Sequence, residues 1–537
     1  MIARIVCSII LLLMPASAYA QQAAPIVDTV LICAPDLLDA AKPWIEYRTK
    51  QGYKLAVVTA QGSAEANVRE LRKIAMRSDL KNVVLFGDAA PGRRLGTHVG
   101  THLQKSNVIL KWGAEPTFAT DNVYADLDED GSPDVAVGRL CADTPQELSG
   151  LIRKIIAYEQ NPNCDTWRRR VNFVAGVGGF GMLADKVIET SAKKFITDGI
   201  PSSYRTTMTQ ASWRSPYSPD PRLFREQTIE TMNQGCLAWV YLGHGQEQGL
   251  DYYRVPDGGL PIFEMQNVAN INVRVGSPIA VFLACYTGAF AGEKDCLSEA
   301  LISKQGGPVA VISGSNVTMP YAMTVMGNAM LHELFIEQRE TIGEVVLRAK
   351  QELAKPTEDQ PKGMIDQLAK VISPNPELLD EERKEHVRLF HLFGDPLMRI
   401  RHPKQVEIES PEEATAGETI EVRGTSAVAG NCIIELVCRR DRMTFRPPRR
   451  GKFEVNDAWL RKLQETYVKA NDTTWTSIQT KLPQGEFTAK LTVPEDAAGL
   501  GHVRVYVRGA NDFALGASDI YLRAPQVEVA EQPSTEQ

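Results

Sequence analysis

A chain of 537 residues exceeds what one hydrophobic core usually organises, so two to four domains are expected. Its 43% hydrophobic and 23% charged residues are those of an ordinary globular protein. A formal net charge of −7, from 59 basic and 66 acidic residues, offers no electrostatic case for nucleic acid or an anionic membrane surface.

Residues 1–20 read as an export signal. Arg4 supplies the positive end, Ile5 to Met14 the apolar core, and Ala18-Tyr19-Ala20 a small-x-small cleavage site. The apolar core is too short to span a bilayer comfortably, although a retained anchor is the competing interpretation. No later segment is apolar for long enough to span, so a secreted or periplasmic chain is expected, with no membrane insertion once the signal is removed. Eight cysteines remain after residue 20: 33, 141, 164, 236, 285, 296, 432 and 438. Their spacing forms no dense disulfide framework, and no pairing is assigned.

Strand-like and helix-like segments then alternate. Val27–Cys33, Lys54–Thr59 and Asn82–Phe86 are β-rich runs, separated by helical stretches from about Asp36 to Gln51 and from Ser63 to Ser78. That order predicts right-handed crossovers in a parallel sheet, assigned to an N-terminal α/β subdomain over 21–145. A second unit, 146–402, opens with a helix from Gln146 to Glu159 and the strand Arg170–Ala175, then a helix from about Met182 to Thr197. Cys236–Leu242, Ile279–Ala284 and Pro308–Ile312 are continuous apolar runs of strand length, as in a sheet covered on both faces. Helices near Tyr321–Gln338 and Ile342–Leu353 would cover them. Residues 354–386 look like a charged insertion or a surface helical excursion, and the segment from His391 closes the unit with a short strand to Ile400. Short alternating segments over 403–524 predict a β-sandwich, and the polar tail 525–537 is expected to be disordered.

Two strand ends carry chemistry. Val240-Tyr-Leu-Gly243-His244-Gly245 and Val281-Phe-Leu-Ala284-Cys285-Tyr286 put an imidazole and a thiol where side chains of a parallel sheet converge on one crevice. A thiolate is a nucleophile, and an imidazole promotes its formation and protonates a leaving amine. The glycines beside His244 allow close backbone approach, and the Gly245 amide is placed to donate to an oxyanion.

The flanks of these residues resemble one family. Tyr241-Leu-Gly-His-Gly, Phe282-Leu-Ala-Cys-Tyr-Thr-Gly, Glu299-Ala-Leu and Gly306-Gly-Pro-Val-Ala-Val-Ile occur in the order seen in gingipain-like cysteine peptidases. This is family C25, of the caspase–legumain–gingipain clan. Asp126–Arg139, Tyr158-Glu159 and Phe393-Gly-Asp-Pro-Leu are similar to its flanking motifs, so the likeness covers roughly 80–400. The resemblance implies a caspase-like catalytic unit in two subdomains followed by an immunoglobulin-like domain. It implies an exported cysteine endopeptidase acting on proteins or peptides without a required cofactor. Cys285 would be the nucleophile, His244 the general acid/base, and the Gly245 and Cys285 amides the oxyanion hole. Asp134 would support His244, and a preference for Arg or Lys would need an acidic pocket residue, for which Glu147, Glu293 and Asp295 are candidates. The alternative function is a catalytically silent, exported binding or secretion module on the same fold.

Two further motifs have competing interpretations. Asp126-x-Asp128-x-Asp130-Gly131 matches the front of a calcium loop, but Val137 stands where the distal glutamate belongs; a solvated acidic turn competes with calcium. Gly176-Val-Gly178-Gly-Phe-Gly181 matches a dinucleotide fingerprint, but a clean second strand ending in an acid is missing, and a tight turn at the site rim is preferred. No HExxH, Cys-x-x-Cys or Gly-x-Ser-x-Gly occurs, which disfavours a catalytic zinc or a serine hydrolase.

Overall fold

The computed structural model describes residues 27–90, 95–178, 196–355, 366–367, 369–370, 373 and 375–524. The export signal, the tail 525–537, most of the helix expected over 182–197 and the last three residues of the glycine motif lie outside them.

Ten strands form one continuous sheet. In chain order they are β1 (Thr29–Cys33), β2 (Leu55–Thr59), β3 (Asn82–Phe86), β4 (Ala136–Leu140), β5 (Arg170–Ala175), β6 (Arg205–Gln210), β7 (Ala238–Leu242), β8 (Ile279–Leu283), β9 (Ala310–Gly314) and β10 (Phe390–Phe393). Their spatial order is β2-β1-β3-β4-β10-β9-β8-β7-β5-β6. The interior strands β1 and β8, each flanked on both sides, are buried along their whole length, as continuous apolar runs in a doubly covered sheet should be. Helix starts also follow local chemistry: Ser63 and Thr144 each cap a helix, accepting from the amides of Ala66 and Glu147.

Every pairing in this sheet is parallel except one, β9 with β10. The closing strand therefore runs with the first half and against the second, so the two expected parallel units are fused edge to edge in opposite directions. The carboxyl ends of β7, β8 and β9 share an edge with the amino ends of β10 and β4. The closing strand is Phe390–Phe393, earlier than the expected stretch to Ile400, because Asp395 leaves the ladder. Its carboxylate accepts from Trp44, from the Arg48 guanidinium at 2.6 Å and from the Leu397 amide at 2.9 Å. Arg48 also pairs with Glu159 at 2.9 Å, so the Tyr158-Glu159 and Phe393-Gly-Asp-Pro motifs are two ends of one buried structural network.

Residues 379–386, expected as an insertion or a surface helical excursion, are helical, within Leu379–Leu389, but Glu382, Arg383, Glu385 and His386 are buried instead of lying on the surface. Their charged character reads as solvated, but each side chain is taken up by a neighbouring element. The structure adds β6, a helix Phe224–Asn233 and hairpin strands His102–Lys105 and Thr117–Thr120, all too short or too polar to stand out by periodicity.

Residues 404–523 build a separate eight-stranded β domain, its strands curled into a barrel-like arrangement around its own core, with a helix Asp457–Ala470 inserted between two strands. All eight cysteines among the described residues are free, and only Cys285 is not buried.

Candidate active site

β7 and β8 are parallel neighbours with Leu242 beside Leu283, and the Gly243 amide continues the ladder to the Leu283 carbonyl at 3.2 Å. His244 and Cys285 therefore leave adjoining strand ends on one edge of the sheet, both half-buried. Contact between the two loops is close. A Cβ on Gly245 would lie 2.6 Å from the Cys285 carbonyl oxygen and 2.9 Å from the Ala284 methyl, so no larger residue fits there without displacing the Cys285 backbone. The loops are also tied farther out. Gln248 donates to the Asp295 carbonyl at 2.8 Å, and the Leu297 amide to the Glu247 carbonyl at 2.8 Å.

Tyr241 fixes the backbone of the histidine. Its hydroxyl, buried and with its pKa raised chiefly by burial, donates to the His244 carbonyl at 2.8 Å. That phenol needs room, and glycines provide it: a Cβ on Gly176 or Gly243 would stand 2.6 or 2.7 Å from its oxygen. The first glycine of the Gly176–Gly181 motif thus serves close packing at the rim of the site.

The third element at this edge is the loop after β9. The Thr318 amide donates to the Cys285 sulfur at 3.3 Å, and the Thr318 hydroxyl lies 3.6 Å from the same atom. The Cys285 sulfur also lies 3.6 Å from the Thr318 carbonyl oxygen, so the backbone of that one residue holds the sulfur from two sides. The residue after the thiol, Tyr286, has φ +58°, a left-handed conformation that side chains other than glycine adopt at a cost. It is held there at both ends. Its amide donates to the Asn316 carbonyl at 3.1 Å, and its hydroxyl donates to Glu115 at 2.6 Å. Thr318 and Glu115 carry no motif, and Tyr241 and Tyr286 stand inside motifs read only for the histidine and the cysteine beside them.

Asp134 is not brought to His244. It precedes β4, with β10, β9 and β8 intervening before β7, a separation of roughly 19 Å at about 4.8 Å per strand. Its carboxylate instead accepts from the Leu127 amide at 2.7 Å, closing the acidic loop. Glu147 follows the carboxyl end of β4 and so lies on the opposite edge of the sheet, where it accepts from the Asp143 amide at 2.8 Å as a helix cap. Glu293 and Asp295 are exposed on the loop after Cys285.

Ligand atoms of Asp126, Asp128 and Asp130 lie within 4.8 Å of one another. One Asp126 oxygen accepts from the Gly131 amide at 3.0 Å, while the other is buried without a hydrogen-bond partner. Burial, with Asp130 and Asp134 nearby, raises the Asp126 carboxyl against amide bonds that oppose it. Three converging carboxylates with an orphaned oxygen fit a hard divalent cation.

An α/β sheet whose neighbouring parallel strands β7 and β8 lead into a half-buried histidine and a half-buried cysteine fits one class, the cysteine-type peptidases. Within it, the chain belongs to peptidase family C25, whose model matches residues 22–401. The fold is similar to that of the Arg-specific cysteine proteinase gingipain R (RgpB), at TM-score 0.53 and 16% identity over 93% of this chain and 98% of that one. It is similar also to the complex of Porphyromonas gingivalis RgpB pro- and mature domains (TM-score 0.51, 16% identity, 92% and 100% covered). A further structure described only as a protease gives TM-score 0.53 at 13% identity, covering 92% and 97%. At these identities the likeness is one of fold. No curated protein matches the chain in sequence. Cysteine-peptidase chemistry requires no cofactor, and no helix among the described residues is long and apolar enough to cross a membrane.

Proposed function

We propose that this protein is an exported cysteine endopeptidase in which Cys285 is the nucleophile and His244 the general acid/base. The observation that carries the proposal is the in-register pairing of β7 with β8, which brings Gly245 against the carbonyl of Cys285. The thiolate adds to a peptide carbonyl, and the resulting oxyanion takes hydrogen bonds from the Gly245 and Cys285 amides. Protonated His244 gives its proton to the departing amine as the C–N bond breaks, leaving a thioester on Cys285. Water then adds to the thioester, His244 takes its proton, and the acid and the thiolate are released.

The domain division belongs to the same proposal: a caspase-like unit of two subdomains (21–145 and 146–402) and an immunoglobulin-like domain over 403–524. Release to the periplasm or the exterior would follow removal of residues 1–20. A calcium ion on Asp126, Asp128 and Asp130 would steady the loop entering β4, remote from the thiol. Glu293 and Asp295 are the carboxylates offered for a basic side chain ahead of the scissile bond.

Cys285→Ala is expected to abolish cleavage of a proteome-derived peptide library while leaving the melting temperature within a few degrees of wild type. In wild type, iodoacetamide should label Cys285 well before the seven buried thiols, as peptide mapping would report. Labelling of Cys285 no faster than the rest, together with no cleavage of any peptide, would end the proposal. Calcium should raise the melting temperature of wild type and leave Asp126→Asn unmoved.

A further inference from the structure

The loop that faces the nucleophile does not support itself. Met319, next to Thr318, donates its amide to His386 Nε2 at 2.7 Å, and His386 Nδ1 pairs with the Glu382 carbonyl at 2.6 Å. A carbonyl only accepts, so Nδ1 carries the hydrogen and Nε2 offers its lone pair to Met319. The ring is fully buried, and burial depresses its pKa to about 4, so the imidazole is neutral and keeps its acceptor across the working range of a peptidase.

His386 sits on the helix Leu379–Leu389 beside two other buried side chains at helical spacing. Glu382 accepts from the Ala322 amide at 3.0 Å, in the first turn of the helix Pro320–Leu331. Glu385 accepts from the Asn107 and Ile109 amides at 2.6 and 3.1 Å. One face of one helix thus grips the loop 315–319, the helix that follows it and the segment leading to Glu115.

From this geometry we infer that His386 is a positioning residue for the nucleophile: by accepting from Met319 it fixes the preceding peptide, whose Thr318 amide points at the Cys285 sulfur. Loss of that acceptor frees the 318–319 backbone, removes the N–H that steadies the thiolate and raises the pH at which Cys285 reacts. The inference rests on Cys285 being the nucleophile, and alkylation reads it without requiring peptide cleavage.

The experiment compares wild type, His386→Met and His386→Gln. Met fills the site without an acceptor, whereas the Gln oxygen reaches close to the Nε2 position. The readouts are the pH midpoint of Cys285 alkylation by iodoacetamide, and kcat and KM per titrated active site. His386→Met should raise the midpoint by about one pH unit and cut kcat about tenfold with little change in KM, and His386→Gln should recover most of both. A purely structural role would lower the melting temperature and the active-site titre but leave the midpoint of the folded fraction in place. An unmoved midpoint and kcat in His386→Met therefore overturn the inference. Should that variant not fold, nitrogen NMR of histidine-labelled wild type decides: an unprotonated Nε2 supports the inference, and a hydrogen on Nε2 overturns it. Wild type that neither cleaves peptides nor alkylates at Cys285 defeats the nucleophile assignment itself, a result distinct from equal behaviour of active wild type and variant.

Discussion

Tyr241 ties down the end of its own strand through a single hydroxyl, and Gly176 and Gly243 have no side chains because the phenol occupies their space. Removing the donor in Tyr241→Phe leaves the His244 carbonyl without that bond and is expected to cost about 1 kcal/mol of stability. Gly176→Ala forces a methyl to within 2.6 Å of the rigid, buried phenol oxygen, an overpacking of about 1–3 kcal/mol. Chemical denaturation measures both, and peptide cleavage should fall more in Gly176→Ala because the displaced phenol shifts the histidine backbone. At this scale His244, Gly245 and Cys285 were legible, since each belongs to a short motif at a strand end. Thr318 and His386 were less so. Hydrogen bonds to a loop amide leave no periodic trace, and a histidine within a charged stretch reads as solvated.

The helix Leu379–Leu389 shows how an element can be misread from its charge. Its Glu382 and Glu385 carboxyls and its imidazole are buried because the amides of loop and helix termini need acceptors, a demand that arises only when those termini are packed together. Burial raises the Glu382 carboxyl to about 7, from an ordinary value of 4.5. A raised carboxyl means the folded protein holds an extra proton, so this group's contribution to stability is complete below pH 4.5 and is lost as pH rises toward 7. His386 acts in the opposite sense, its depressed pKa removing stability as pH falls from 6.5 toward 4. Measured by urea denaturation, Glu382→Gln should accordingly improve relative to wild type as pH rises from about 4.5 to about 7. A difference between the two proteins that stays constant with pH would show that Glu382 is not protonated on folding.

Across the whole molecule, the β domain is welded to the sheet rather than tethered to it. Arg169 and Arg504 converge on Glu435, at 2.8 and 2.9 Å, all three buried. Burial alone would raise that carboxyl, yet the two guanidinium groups hold it below its ordinary value. Glu435→Ala would strand two buried cations and is expected to destabilise by about 3–5 kcal/mol, read as a fall in melting temperature with unchanged turnover per folded molecule. Asn471 closes the outer edge of β6 by accepting from the Met208 amide at 2.7 Å and donating to its carbonyl at 3.0 Å, as a paired strand would. A chain ending near residue 402 would expose that edge, and it is expected to aggregate on expression.

Sequence by itself determined the apolar strands of the sheet, the thiol and imidazole at the ends of two of them, and the family, because hydrophobic periodicity and short motifs are local properties of a chain. Only the tertiary structure decided the rest: the reversed closing strand, the distance of Asp134 from His244, and the buried hub behind Thr318. Strand order and direction are set by packing between segments far apart in sequence, and no local pattern encodes which edge of a sheet a residue will occupy.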